Sequence, residues 1–216
     1  MKKIWKKFMV LGLALVFLMA AAGCAKDTDN TKEPSGTGNK KEEEPLYSVS
    51  INGTEIRVGE TKVQALLNDG LDVTWSEMTE DMQIEHYVVD PDMELDENSY
   101  YTGGTVWVTD ECFAHVAIVT DEERVKLGDA VIASMEFHFS YADDKEVLSG
   151  LTFNGVPVTE MTREKAGEVF PDFRGDDAMW FSSGLKDYKY SMGFNSQTGE
   201  MISLSVERQY DVDWNS

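Results

Sequence analysis

Cys112 and His115 stand three residues apart, and a thiol near an imidazole is a pair that nucleophilic catalysis uses. The alternating pattern around them predicts one strand from Cys112 to Thr120. Positions i and i+3 of a strand face opposite sides, so these two side chains do not meet. His138 lies on another predicted strand and could reach either of them. A nucleophile also needs an orienting partner, and His138 reads instead as a core or half-exposed histidine. The segment Asp90-Pro91-Asp92-Met93-Glu94-Leu95-Asp96 spaces its carboxylates as a calcium loop does. It has Leu95 where such a loop needs glycine, and Tyr101 where it needs glutamate. It reads as a solvated acidic loop. One candidate cysteine and three scattered histidines lack zinc-ligand spacing. There is no Gly-x-Ser-x-Gly elbow, phosphate loop or dinucleotide fingerprint. No catalytic, metal or cofactor residue is therefore assigned. Paired carboxylates for glycoside hydrolysis come together only in space, so a hydrolase stays as an alternative. The aromatics Tyr100, Tyr101, Trp107, Trp180 and Phe181 would be recognition anchors wherever they are exposed.

The elements that must position these residues are mostly strands. Tyr47, Val49 and Ile51 alternate with serines up to Asn52-Gly53, and Ile56 and Val58 continue the alternation. Asn-Gly between alternating runs predicts a hairpin, because both turn residues tolerate φ > 0. Thr61 with Gln64 three residues later predicts a capping box, and Val63, Leu66 and Leu67 form one helical stripe. Gly70 suits the end of that helix. Ser76 to Met82 reads as a helical turn, Tyr87 to Val89 as a short strand, and Asp90 to Tyr101 as a loop. Strand pattern returns at Thr105 and again from Cys112, with Asp110-Glu111 at the turn. Val131 to Tyr141 reads as a strand that folds back at Ala142 to Lys145 into Val147 to Phe153, forming a long hairpin. Tyr188 to Asn195 and Met201 to Val206 are further strands, joined by Ser196 to Gly199.

The opening pattern then recurs. Phe153-Asn154-Gly155-Val156 echoes Ile51-Asn52-Gly53, and Thr162 precedes an Ala166, Val169, Phe170 stripe. This predicts a duplication with halves at about 46–145 and 146–216. The fold class expected is α+β: an antiparallel, sheet-dominated domain with short helices packed on one face. Val63, Leu66, Leu67, Val169 and Phe170 should be buried against the sheet.

The N-terminus indicates where the domain works. Lys2, Lys3, Lys6 and Lys7 precede an apolar run from Phe8 to Ala22, which is shorter than the roughly 20 residues of a spanning helix. Small residues and Gly23-Cys24 follow, as at a signal-peptidase site. This arrangement resembles the lipobox of bacterial lipoproteins, although Ala21 stands where that family prefers leucine. The resemblance implies removal of residues 1–23 and a lipid on Cys24, leaving Cys112 without a disulfide partner. Residues 24–45 read as a polar, disordered linker and 46–216 as an extracytoplasmic domain. The whole sequence carries a net charge of −21 at pH 7. Loss of the four leader lysines makes it −25, which repels nucleic acid.

In layout the chain resembles the acidic surface lipoproteins of Gram-positive bacteria: signal, lipobox, tether and one α+β domain. The helix opened by Thr162-Arg163-Glu164-Lys165, ahead of a two-strand meander, is similar in outline to β-lactamase-inhibitor-protein-like modules. Those modules pack helices on one face of an antiparallel sheet and bind proteins. The expectation is a lipid-anchored protein at the extracytoplasmic face of the cell membrane. Its domain would bind a protein, peptide or cell-wall ligand, without a cofactor. The alternatives are an envelope hydrolase and a structural or assembly factor.

Overall fold

Asn52-Gly53 and Asn154-Gly155 close the two hairpins that the sequence marks. All four residues lie in the left-handed region, at φ of 51° and 90° and of 47° and 77°. Asparagine and glycine are the residues that tolerate this, and the paired positive φ matches the twist of the flanking strands. The computed structural model describes residues 47–139, 145–182 and 187–210. The leader, Cys24, the linker, and the tip residues Ala142, Asp143 and Asp144 lie outside them.

In chain order the strands and helices are β1 (Val49–Ile51), β2 (Thr54–Ile56), α1 (Val63–Asn68), β3 (Asp72–Met78), β4 (Ile84–Val88), β5 (Glu94–Leu95), β6 (Tyr100–Thr109), β7 (Cys112–Val119) and β8 (Val125–Lys126). They continue with β9 (Val131–His138), β10 (Leu151–Phe153), β11 (Val156–Pro157), α2 (Arg163–Val169), β12 (Ala178–Ser182), β13 (Tyr188–Phe194) and β14 (Met201–Arg208). The two Asn-Gly hairpins pair back to back: Val49 opposes Phe153, Ser50 opposes Thr152 and Ile51 opposes Leu151. The result is a four-stranded sheet in the order β11-β10-β1-β2. The other large sheet has eight antiparallel strands in the order β12-β13-β14-β9-β7-β6-β3-β4. The architecture is α+β and dominated by antiparallel sheet.

The core forms where the small sheet and helices cover one face of the large sheet. Tyr47 and Phe153 from the small-sheet region, Phe170 and Phe173 from α2 and its exit, and Tyr190 from β13 make mutual ring contacts at 5.0–6.2 Å. The Tyr47 backbone N–H donates to Tyr190 Oη at 3.2 Å, which gives the buried phenol a partner. Val63, Leu66 and Phe170 are buried as expected, and Leu67 and Val169 are half-buried at the edge of the same cluster.

Four local expectations are corrected. Ser76 to Met82 is the end of a strand and the turn of the β3–β4 hairpin. Just before it Val73 and Trp75 point inward at a spacing of two, and that strand period continues to Met78 in place of the helical turn. Thr61 is not the helix cap. The cap position is Lys62, which makes no side-chain bond, and Thr61 Oγ1 accepts from the Arg57 N–H instead. Thr162 does cap α2, accepting from the Lys165 N–H. β9 does not return into Val147 to Phe153. It pairs with β7 and β14, while β10 crosses to the small sheet to pair with β1. Finally, Tyr100 and Tyr101 open β6 and do not sit in a loop.

Candidate functional site

Strand alternation gives the large sheet a second face, and among the described residues neither helix nor small sheet lies on it. The register identifies its residues. Thr74 opposes Thr105, Thr105 opposes His115, His115 opposes Glu136, Glu136 opposes Ser205, Ser205 opposes Ser191, and Ser191 opposes Trp180. This row crosses seven strands. Apart from the buried Thr105, its members are half-buried or exposed. A neighbouring row carries Asp72, Trp107 and Phe113. The residues that cover this face are short hydroxylic side chains with aromatics and histidines set among them.

All three histidines of the sequence share this face. His86 on β4 opposes Ser76, and its Nδ1 lies 2.8 Å from Ser76 Oγ. Its ring meets Trp107 at 6.0 Å. Trp107 meets Phe113 at 4.9 Å, and Phe113 meets His115 at 5.0 Å. Next comes Glu136, directly opposite His115, with Glu136 Oε1 3.1 Å from His138 Nε2. The six side chains form a ladder across β4, β6, β7 and β9. Trp107 is fixed by a bond from its Nε1 to Thr74 Oγ1 at 3.0 Å, so its ring edge is held in place while one flank stays accessible. A preset aromatic surface loses little conformational freedom when a partner docks on it.

The candidate chemical residues separate as the strand geometry requires. Cys112 is buried on the inner face, and His115 is exposed on the outer one. Burial pushes the Cys112 thiol up to about 11, so at neutral pH it is protonated and unreactive. His138 is half-exposed, one of the two settings expected for it, and its partner is Glu136. The Asp90–Asp96 segment is held by cations from the opposite strand. Lys126 Nζ lies 2.8 Å from Asp92 and Arg124 Nη2 lies 2.7 Å from Asp96, and β5 pairs with β8 alongside them. The Lys126 ammonium holds the Asp92 carboxyl below its ordinary range. Among the described residues no three His, Cys, Asp or Glu side chains converge as a metal-binding group would. Tyr101 Oη accepts from the Asp96 N–H, and Phe181 packs into the aromatic core. Of the five aromatics singled out in sequence, Trp107, Trp180 and Tyr100 reach the open face, the last donating from its hydroxyl to Ser134 Oγ at 3.3 Å.

The histidine ladder was not legible in the sequence as a group. Its one available signal was period-two spacing within strands: Glu136 with His138, and Phe113 with His115. A cavity of about 310 Å³ opens elsewhere, beside Val119, Val131 and Arg208. Arg208 closes one wall by donating to the Gly59 carbonyl at 2.9 Å, and its guanidinium lies over the rings of Tyr188 and Tyr210.

No protein-family model matches the chain, and no curated protein or solved structure shows significant similarity to it.

Proposed function

We propose that this chain is a lipid-anchored extracytoplasmic protein whose domain binds a protein, peptide or cell-wall ligand on the open face of its eight-stranded sheet. The observation that carries the reading is that face itself. Its strands present Trp107, Phe113, Trp180 and three histidines among serines and threonines, with no described element covering them. Of these aromatics Trp180 is exposed and Trp107 and Phe113 are half-buried, and aromatics held on a sheet are among the side chains that dominate binding energy at interfaces. Tethering through Cys24 would confine the domain to a surface and raise its effective concentration toward a neighbouring partner. The duplication belongs to the same reading. The two hairpins pair through β1 and β10, and each leads into a helix.

Two experiments test it. Substituting Cys24→Ala should shift the protein from the membrane fraction to the medium or leave an uncleaved precursor, and unchanged partitioning would defeat the anchor. Residues 46–216 should retain an envelope component that a Trp107→Ala, Phe113→Ala double variant loses while keeping its melting temperature to within a few degrees. Turnover of a glycan substrate abolished by Glu136→Gln would transfer the reading to the hydrolase.

A further inference from the structure

β4 ends the eight-stranded sheet, and its five residues are all exposed. Thr79 N–H donates to the Gln83 carbonyl at 2.8 Å, which fixes the phase of the β3–β4 ladder. By the alternation of an antiparallel pair, Glu85 and Tyr87 direct their backbone groups toward β3. Ile84, His86 and Val88 direct theirs outward, away from the sheet. Among the described residues nothing pairs with that outer side. An open edge normally carries lysine, proline or a bulge to prevent pairing. This one carries apolar side chains: Met78 is 70% exposed, Met82 74%, Ile84 63% and Val88 87%. The turn is also strained, because Met82 holds φ 61°, a conformation that glycine or asparagine usually takes.

Charge indicates the occupant. Between Lys62 and Arg124 the sequence has no lysine or arginine and sixteen aspartates and glutamates. That span includes β3, β4, β6 and β7. Four of its acids, Glu77, Glu80, Asp81 and Glu85, are exposed on the hairpin itself. A second copy of the chain would bring this anionic edge against itself, whereas a cationic segment would be attracted to it.

We propose that β4 is an acceptor edge for an extended cationic segment of a partner protein, one that alternates basic with apolar residues. The segment adds as a ninth strand. Its backbone pairs with Ile84, His86 and Val88, its apolar side chains lie beside Ile84 and Val88, and its basic side chains lie beside Glu85, with Glu77 one strand further in. Main-chain bonds supply affinity, and the alternating side chains supply selectivity. This edge adjoins the Trp107–Phe113 surface through His86, whose ring meets Trp107, but its main-chain pairing does not depend on binding there.

The test uses isotope-labelled residues 46–216 and a capped nine-residue peptide alternating lysine with valine. Adding the peptide should slow hydrogen exchange at the Ile84, His86 and Val88 amides. Affinity should fall about tenfold between low and high salt. Replacing the peptide lysines by glutamate should abolish binding, as should methylating its backbone nitrogens along one edge, a change that leaves the protein's own fold untouched. His86→Pro removes an outward donor and should weaken binding about tenfold. Equal binding of the glutamate or N-methylated peptide would overturn the proposal. Shifts confined to Phe113, His115 and Glu136 would also overturn it, while leaving the open-face reading intact. Concentration-dependent protection of the same three amides without peptide would show that a second copy takes the edge, and would overturn the cationic partner.

Discussion

The two outer strands of the eight-stranded sheet are finished in opposite ways. At β12 the chain segment after α2 folds against the edge: Arg174 and Trp180 exchange both backbone hydrogen bonds at 2.8 Å. Arg174 itself is pinned by its Nη1 to the carbonyls of Pro171 and Phe173. Behind that edge lies the aromatic cluster of Tyr47, Phe170, Phe173, Phe181 and Tyr190, which gives the strand a firm floor. At β4 the hairpin projects beyond the core. Trp75 is its last side chain packed against the hydrophobic core, and after it Met78, Met82 and Ile84 stand in solvent. The lesson is that equal hydrogen bonding within a sheet does not mean equal stability. An edge resists opening in proportion to the apolar area beneath it, and β4 has little.

The contrast can be broken first at its stable end. Phe170→Ala removes a fully buried ring and should cost about 3–5 kcal/mol in chemical denaturation; a loss below about 0.5 kcal/mol would show that the aromatic floor is not what holds β12. Alkali should attack the core at two points, Tyr190 in this region and Cys112 on β7. Burial pushes the Tyr190 phenol from an ordinary 10.0 up to about 12 and the Cys112 thiol from 9.0 up to about 11. Both groups fold protonated, so their contribution is complete below about pH 9 and is lost as pH rises through 9–12. The melting temperature should fall across that window, and Cys112→Ala should flatten the lower part of the fall. At the β4 end the effects are smaller and one has the opposite sign. Met82→Gly relieves the left-handed strain and should stabilise by about 0.5–1 kcal/mol. Ile84→Ala should change stability by no more than about 0.5 kcal/mol, as exposed positions do, and a larger loss would place Ile84 in a packed contact.

Much of the local structure was legible. The Asn-Gly turns, the β6–β7 turn at Asp110-Glu111, the β13–β14 pair and the Thr162 cap all follow from residues close together in the chain. The misreadings occur where distant contacts decide. Ser76 to Met82 carries polar residues compatible with a helical turn, and its first three residues are strand because β4 pairs with them. Thr61 had the right residue for a cap, but the bridge between Lys62 and Val131 moved the helix start.

The sequence by itself determined which segments alternate, where they must turn, that Cys112 and His115 face apart, and that the chain is strongly anionic. These are properties of neighbours, fixed by strand period, glycine's tolerance of positive φ and a count of charges. Only the tertiary structure decided that β10 leaves β9 to pair with β1, that His86, Trp107, Phe113, His115, Glu136 and His138 line up on one face, and that β12 is covered while β4 is bare. Those outcomes depend on strand order and register between residues as much as a hundred positions apart. Which strand lies beside which is settled by how the apolar faces pack together, and no local pattern contains that information.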